Sequence, residues 1–188
     1  MINATKERIS GSVALRVAAG APVPSDVADR LLAGGRALEV DCGGGLGCLA
    51  LAEVFPAARI VGHDRNPDEI ARAQKLARAS GLEDRVTFAV AGSTRLDRGA
   101  FDLAAVRSVS RRADALQVLN AIRNALTPEG VCLLVEPTHD ESKPVVATTE
   151  AARNARSHAI ATLARQAGFS RCELACREPA LDAYELRR

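Results

Sequence analysis

The sequence predicts an α/β fold, a doubly wound and mostly parallel sheet of seven strands whose last strand is antiparallel. Three observations carry that reading. Strand-like and helix-like segments alternate from Arg36 to the end of the chain. The strand-like segments are continuous apolar runs rather than strict alternations, as in strands covered on both faces. The final two, "RCELACR" and "LDAYELR", are joined by a short connection around Pro179, too short for a crossover, so they run antiparallel.

In chain order, residues 1 to about 22 are polar to mildly apolar and lead into "GAPVPS", whose two prolines mark an extended connection. Ser25 is placed to cap a helix through "DVADRLLAGG", which stops at Gly34-Gly35. "RALEVDC" reads as the first strand of the sheet, and "GLGCLALAEVF" as a helix with apolar residues at helical spacing. "ARIVGHD" is the second strand. "PDEIARAQKLARASG" is an amphipathic helix, with Pro67 at its start, acids in its first turn and Gly81 after it. "RVTFAVA" and "FDLAAVRS" are the third and fourth strands. "DALQVLNAIRNAL" is a helix ended by the turn Thr127-Pro128-Glu129-Gly130, and "VCLLVEP" is the fifth strand. "TEAARNARSHAIATLARQAG" is a helix with a glycine stop, ahead of the closing pair. Between them, "PTHDESKPVVATTE" reads as a flexible loop.

Composition excludes several classes of function. A chain of 188 residues is most simply one domain with a real core. A net charge of +2, with basic residues spread along the chain, gives no electrostatic case for nucleic acid or an anionic membrane. Four Phe, one Tyr and no Trp supply no stacking platform for single strands. The five cysteines, at 42, 48, 132, 172 and 176, have no framework spacing and read as reduced thiols in the cytoplasm. Cys172 and Cys176 lack the second pair or histidines that a zinc site needs, so no metal is expected. "MINATKERISGS" lacks the apolar segment of a signal peptide, and no run of 18 apolar residues could span a membrane. The apolar content is compatible with a homodimer.

The chemistry concentrates in "ALEVDCGGGLG", residues 37–47. A strand that ends in a glycine turn and opens a helix is a common grip for a nucleotide. Two ligands compete for it. Gly45-Leu46-Gly47-Cys48-Leu49-Ala50 matches the dinucleotide pattern G-x-G-x-x-A, and Asp64 follows Gly45 by 19 residues, near the spacing for a ribose contact. The other is S-adenosylmethionine. Glu39 would then face the methionine amino group and Asp64 would hold the ribose hydroxyls, since a carboxylate accepts two hydrogen bonds and favours a charged donor.

These segments resemble the class I S-adenosylmethionine-dependent methyltransferases, over residues 35–137 above all. "ALEVDCGGGLGCLALA" is similar to the family's first motif, and "ARIVGHDRNPDEIARAQKLA" to its second strand with the ribose acid. "DRVTFAVAGST", "FDLAAVRSV" and "LNAIRNALTPEGVCLLVEP" follow in the family's order. "LTPEG" resembles the family's leucine-x-proline-glycine-glycine, which no dinucleotide fingerprint contains. Small-molecule methyltransferases with an N-terminal helical segment are the nearest type, and here the cap is short. The resemblance implies a Rossmann-like methyltransferase fold, with residues 1–35 as cap and 36–188 as the cofactor-binding domain. It implies cofactor contacts from Glu39, Asp41, Gly43, Gly45, Asp64, Arg65, Ser93, Thr94 and Arg107.

Two positions depart from the family pattern. Asp41 stands where the first motif glycine is usual, and Ser93 stands where an acid usually accepts from the adenine amino group. His63 could pack against the adenine, and His139 is the candidate base should an acceptor need deprotonation. His158 reads as a surface residue. The text after the fourth strand, "AVRSVSRRAD", lacks the N/DPPY-type signature of base or glutamine methylation, so a small-molecule acceptor is expected. Two alternatives stay open: a degenerate member that serves as a partner subunit, and an enzyme using the same pocket for non-methyl chemistry.

Overall fold

The computed structural model describes residues 16–17, 21–92, 96–138 and 149–188. Two short strands, β1 (Arg16–Val17) and β2 (Ala21–Pro22), pair antiparallel ahead of the main sheet. The sheet itself contains β3 (Arg36–Val40), β4 (Arg59–Asp64), β5 (Val86–Val90), β6 (Phe101–Arg107), β7 (Leu126–Pro137), β8 (Arg171–Arg177) and β9 (Leu181–Arg187). Their order is β5-β4-β3-β6-β7-β9-β8. β3 to β7 pair in parallel, and β9 inserts antiparallel between β7 and β8. The seven-stranded Rossmann-like methyltransferase fold expected from the sequence is the fold observed.

The helices are α1 (Ser25–Leu32), α2 (Leu46–Val54), α3 (Pro67–Ala79), α4 (Ala115–Ala125) and α5 (Glu150–Gln166). Alternating side chains of one strand belong to opposite faces of a sheet. Ala37, Ile60, Val86, Leu103 and Leu133 pack with α1, α2 and α3, whereas Leu38, Ala104, Val106 and Leu134 pack with α4 and α5. Both faces are thus covered, which is why the strands are apolar throughout. α1 buries Val27, Ala28 and Leu31 in the same core as the sheet. Between β5 and β6 no helix occurs among the described residues, and Leu96 and Ala100 pack against the core on the α4 and α5 side.

Local signals explain the helix ends. Asn66 caps α3, its Oδ1 accepting from Asp68 N–H at 3.0 Å, with Pro67 in the first position. Thr149 caps α5 through Ala152 N–H at 3.2 Å. Ser25 does not cap α1: Pro24 holds the cap position with no side-chain hydrogen bond, and Ser25 is the first helical residue. Proline is already in extended geometry there, so the hydroxyl is not needed to break the chain into the helix. The turn expected at Thr127–Gly130 is instead the beginning of β7, whose register against β6 jumps between Leu126 and Val131. Thr127–Gly130 themselves have no partner on β6, since the ladder steps from Phe101–Leu126 to Leu103–Val131, so "TPEG" bulges out of the strand instead of closing a free turn. Most of the loop read from "PTHDESKPVVATTE" lies outside the described residues.

The far edge is fixed by a buried charge cluster. Asp182 is fully buried on β9, where its carboxylate accepts from Arg153 of α5 and from Arg177 Nε of β8 at 3.1 Å. Removing the acid strands two arginines in a partly dry site. Asp182→Ala should therefore lower the unfolding free energy by about 3 kcal/mol in urea denaturation. A loss under about 1 kcal/mol, the range of exposed pairs, would contradict this reading of the cluster.

Candidate active site at the carboxyl edge

β3 and β6 are parallel neighbours, yet β3 leads to β4 on one side and β6 leads to β7 on the other. Their connections leave in opposite directions and open a crevice at the carboxyl edge. The glycine turn forms one wall. Gly45 enters α2 at φ 81, and a Cβ there would stand 2.7 Å from Phe88 Cζ, so only glycine suits both the backbone and the packing. Gly45 N–H donates to the Cys42 carbonyl at 3.0 Å and closes the turn.

Asp64, at the end of β4, holds that turn to α3. Its Oδ2 accepts from Gly43 N–H and its Oδ1 from Asn66 N–H, each at 2.8 Å. Each carboxylate oxygen has a second lone pair, so Asp64 can still accept from two hydroxyl groups. Asn66 provides the helix cap itself, which leaves that capacity unspent.

Glu39 lies under the turn. It is 8% exposed, and its Oε2 accepts from the Cys48 thiol at 3.0 Å. A Cβ on Gly47 would fall 2.4 Å from Glu39 Oε1, so the helix starts directly on the carboxylate. Burial pushes the Glu39 carboxyl above its usual range, opposed by hydrogen bonds from Cys48 and by the charge of Arg107. The Cys48 thiol is pushed up in turn, by its hydrogen bond with Cys42, by burial and by the Glu39 charge.

The crevice opens into a cleft of about 780 Å³ whose walls include Val40, Asp41, His63, Arg65, Arg112 and Ile122. That is ample for a nucleoside-sized ligand, within the roughly 300–1,000 Å³ of typical small-molecule sites. His63 is buried, and burial lowers its pKa, so the imidazole is neutral at pH 7. Asp41 holds φ 58, a left-handed conformation that costs an L-residue on the order of 1 kcal/mol. Its carboxylate is paired with Arg112 Nη1. The Arg112 guanidinium also forks onto Asp114, Nε and Nη2 each 2.9 Å from a carboxylate oxygen. That hydrogen bond holds the Asp114 carboxyl below its usual range. Arg65 Nη1 stands 3.8 Å from the same carboxylate.

A second buried acid sets the opposite wall. β6 ends at Ser108, itself at φ 55, and a short 3-10 turn, Val109–Arg111, follows. Glu136, fully buried at the end of β7, accepts from Ser110 N–H at 2.8 Å and from Ser110 Oγ at 2.7 Å. This clamp delivers Arg112 to Asp41.

Of the residues expected from the sequence, Asp41 and Arg65 line the cleft, while Asp64, Gly43 and Gly45 belong to the glycine turn beside it. Glu39 sits below that turn. Arg107 is exposed at the end of β6, near enough for its charge to act on Glu39. Ser93, Thr94 and His139 lie outside the described residues. His158 is exposed on α5. Sequence reasoning missed Arg112, Glu136 and Cys48. An acid inside the apolar run "VCLLVEP" was the available signal for Glu136, as it was for Glu39 in "RALEV".

The family described as "Methyltransferase domain" matches residues 31–175. The chain belongs to this family. No curated protein matches it in sequence. Among solved structures, the methyltransferase-domain chain is similar to an S-adenosylmethionine-dependent methyltransferase from Aquifex aeolicus, at 12% identity and a TM-score of 0.67 over 98% of this chain and 96% of that one. It is similar to the mitomycin 7-O-methyltransferase MmcR at 18% identity and a TM-score of 0.60, over 97% of this chain. It is also similar to the O-methyltransferase NcsB1 of neocarzinostatin biosynthesis, solved with S-adenosyl-L-homocysteine and 1,4-dihydroxy-2-naphthoic acid. There the identity is 20% and the TM-score 0.63, over 84% of this chain. The chain spans 56% of the length of MmcR and 50% of that of NcsB1. No helix among the described residues is long and apolar enough to cross a membrane.

The raised Glu39 carboxyl has a consequence for stability. A pKa raised by folding means that the protonated form is favoured in the fold, so its contribution is present at low pH and lost as pH climbs through the folded value. Glu39→Gln removes that titration. Melting temperatures measured from about pH 4 to about pH 8 should show the variant gaining on the wild type as pH rises. A gap independent of pH would contradict it.

Proposed function

We propose that this methyltransferase-domain protein binds S-adenosylmethionine in the crevice between β3 and β6 and methylates a small-molecule acceptor. Asp64 is the observation that carries this reading. It is fixed by two backbone donors at the crevice rim and keeps two acceptor positions, as the paired hydroxyls of a ribose require. Gly43, where a Cβ would meet nothing within 4 Å, leaves the backbone open to a close-lying ligand. Val40 and Ile122, with neutral His63, offer an apolar wall to the base, and Arg65 stands at its mouth. The resemblance adds Ser93 and Thr94 at the base edge and Arg107 at the methionine end. When bound, the cofactor supplies an electrophilic methyl group on a sulfonium with a neutral leaving group, so the protein mainly provides proximity and alignment. His139 is carried as the base for acceptors that must lose a proton.

A small acceptor fits the chain's charge of +2 and the lack of a base-methylation signature in "AVRSVSRRAD". Five free cysteines, three of them buried, suit a reducing compartment, and we place the protein in the cytoplasm. Asp41 and Ser93, where the family has glycine and an acid, favour one second reading, a degenerate member acting as a partner subunit.

Calorimetric titration separates these readings. S-adenosylmethionine and S-adenosylhomocysteine should bind in the micromolar range and lose at least about tenfold in affinity in Asp64→Ala, while NADH stays silent. Binding of NADH alone would point to an oxidoreductase instead. Silence with all three would favour the partner subunit.

A further inference from the structure

The sheet carries a second recess, on the α4 side of β4 and β5. With no crossover helix between β5 and β6 among the described residues, this part of the face is only partly covered: Val61 and Ala89 are half-buried and Thr87 is exposed. On β6 and β7 the same face is buried under α4 and α5. A cavity of about 200 Å³ lies in the gap and borders the larger cleft, with which it shares His63 and Leu96. Val61, Ala89 and Leu96 give it apolar walls. At the amino end stand two charges that cancel. Arg36 Nη2 donates to Asp97 Oδ2 at 3.0 Å, and the guanidinium lies 4.8 Å from the centre of the Phe101 ring. Among the described residues that bond occupies one of five guanidinium N–H groups and one carboxylate oxygen, so the pair still offers both donors and an acceptor. At the other end His63 is 7% exposed, and its imidazole makes no hydrogen bond among the described residues. A buried polar ring of this kind calls for a partner, and the recess is where one can reach it.

We propose that this recess binds a small uncharged nitrogen heteroaromatic bearing a carboxamide, the amide on the Arg36–Asp97 pair and a ring nitrogen toward His63. A carboxamide is a neutral group that presents a donor and an acceptor side by side, the complement of that pair. A carboxylate in the same place would oppose Asp97, and an ammonium would oppose Arg36. Burial lowers the His63 pKa, so the neutral imidazole has one N–H to donate to a ring nitrogen. The ring lies along the sheet on Val61 and Ala89. The volume falls below the roughly 300 Å³ at which drug-sized sites begin, which suits one substituted ring. No residue of the glycine turn lines the recess, so the proposal stands independently of the S-adenosylmethionine reading.

The probe is pyrazine-2-carboxamide, titrated into ¹⁵N-labelled protein while the backbone amide resonances are followed by NMR. Resonances of Val61, His63, Thr87 and Ala89 should shift and saturate with a Kd of about 0.1–1 mM, as suits a single-ring ligand. Benzamide, which lacks the ring nitrogens, and pyrazine-2-carboxylate, which is charged, should each bind at least about fivefold more weakly. Two variants alter the recess from exposed positions, so loss of fold is not expected to mask their results. Asp97→Ala removes the acceptor and Thr87→Leu fills the space, and each should weaken pyrazine-2-carboxamide about fivefold or more while resonances elsewhere stay in place. Shifts that map instead to Asp41, Arg65 and Arg112 would put the compound in the larger cleft and overturn the proposal. No saturable shift up to about 10 mM, equal binding of the three compounds, or variants that bind like the wild type would overturn it as well.

Discussion

Parallel pairing of β3 with β4 on one side and with β6 on the other is the constraint from which the site follows. Parallel strands need crossovers, and the crossovers from β3 and β6 depart in opposite directions. Hydrogen bonding between the strands holds the two ends side by side, while their continuations diverge. The crevice is thus a product of topology. The glycine turn and the 3-10 turn are what this sequence places on its two lips.

Each lip rests on a buried acid. Glu39 under the glycine turn meets the first turn of α2, and Glu136 beneath the other lip grips Ser110. An acid in an apolar strand is costly unless it is hydrogen-bonded, so both positions are strongly determined by their partners. Above them, Asp64 joins the glycine turn to α3, and the Asp41–Arg112 pair joins the lips to each other. Among the described residues, the two non-glycine residues with positive φ, Asp41 and Ser108, sit at the ends of these neighbouring strands. Strain stored at the crevice edge and satisfied buried acids beneath it form one connected structure.

Much of this was legible in the sequence. The apolar runs, the Asn66-Pro67 start of α3 and the closing pair around Pro179 gave the sheet because local preference and tertiary packing agree there. Agreement failed at Ser25, where Pro24 already set the backbone, and was partial at Thr127–Gly130, which stand as an irregular bulge at the start of β7 rather than a free turn. Within the crevice, the placement of Gly45 and Asp64 was readable because it depends on local geometry. Arg112 was not, since Arg107, Arg111 and Arg112 look alike in sequence and only the 3-10 turn decides which one reaches Asp41. An acid in a glycine position does ask for a counter-charge nearby, and that was the clue available. The partner of Glu39 was hidden for a similar reason: Cys48 lies nine residues on and meets it only because α2 folds back over β3.

The reading of the switch-point crevice as an adenosyl site organised by Asp64 is open to one direct measurement. A crystal structure of the protein soaked with S-adenosylhomocysteine tests it most directly. The ribose hydroxyls should lie on Asp64, with its bonds to Gly43 and Asn66 retained, and the ligand between the glycine turn and the end of β6. A ligand bound elsewhere, or one in the crevice with its ribose turned away from Asp64, would contradict it.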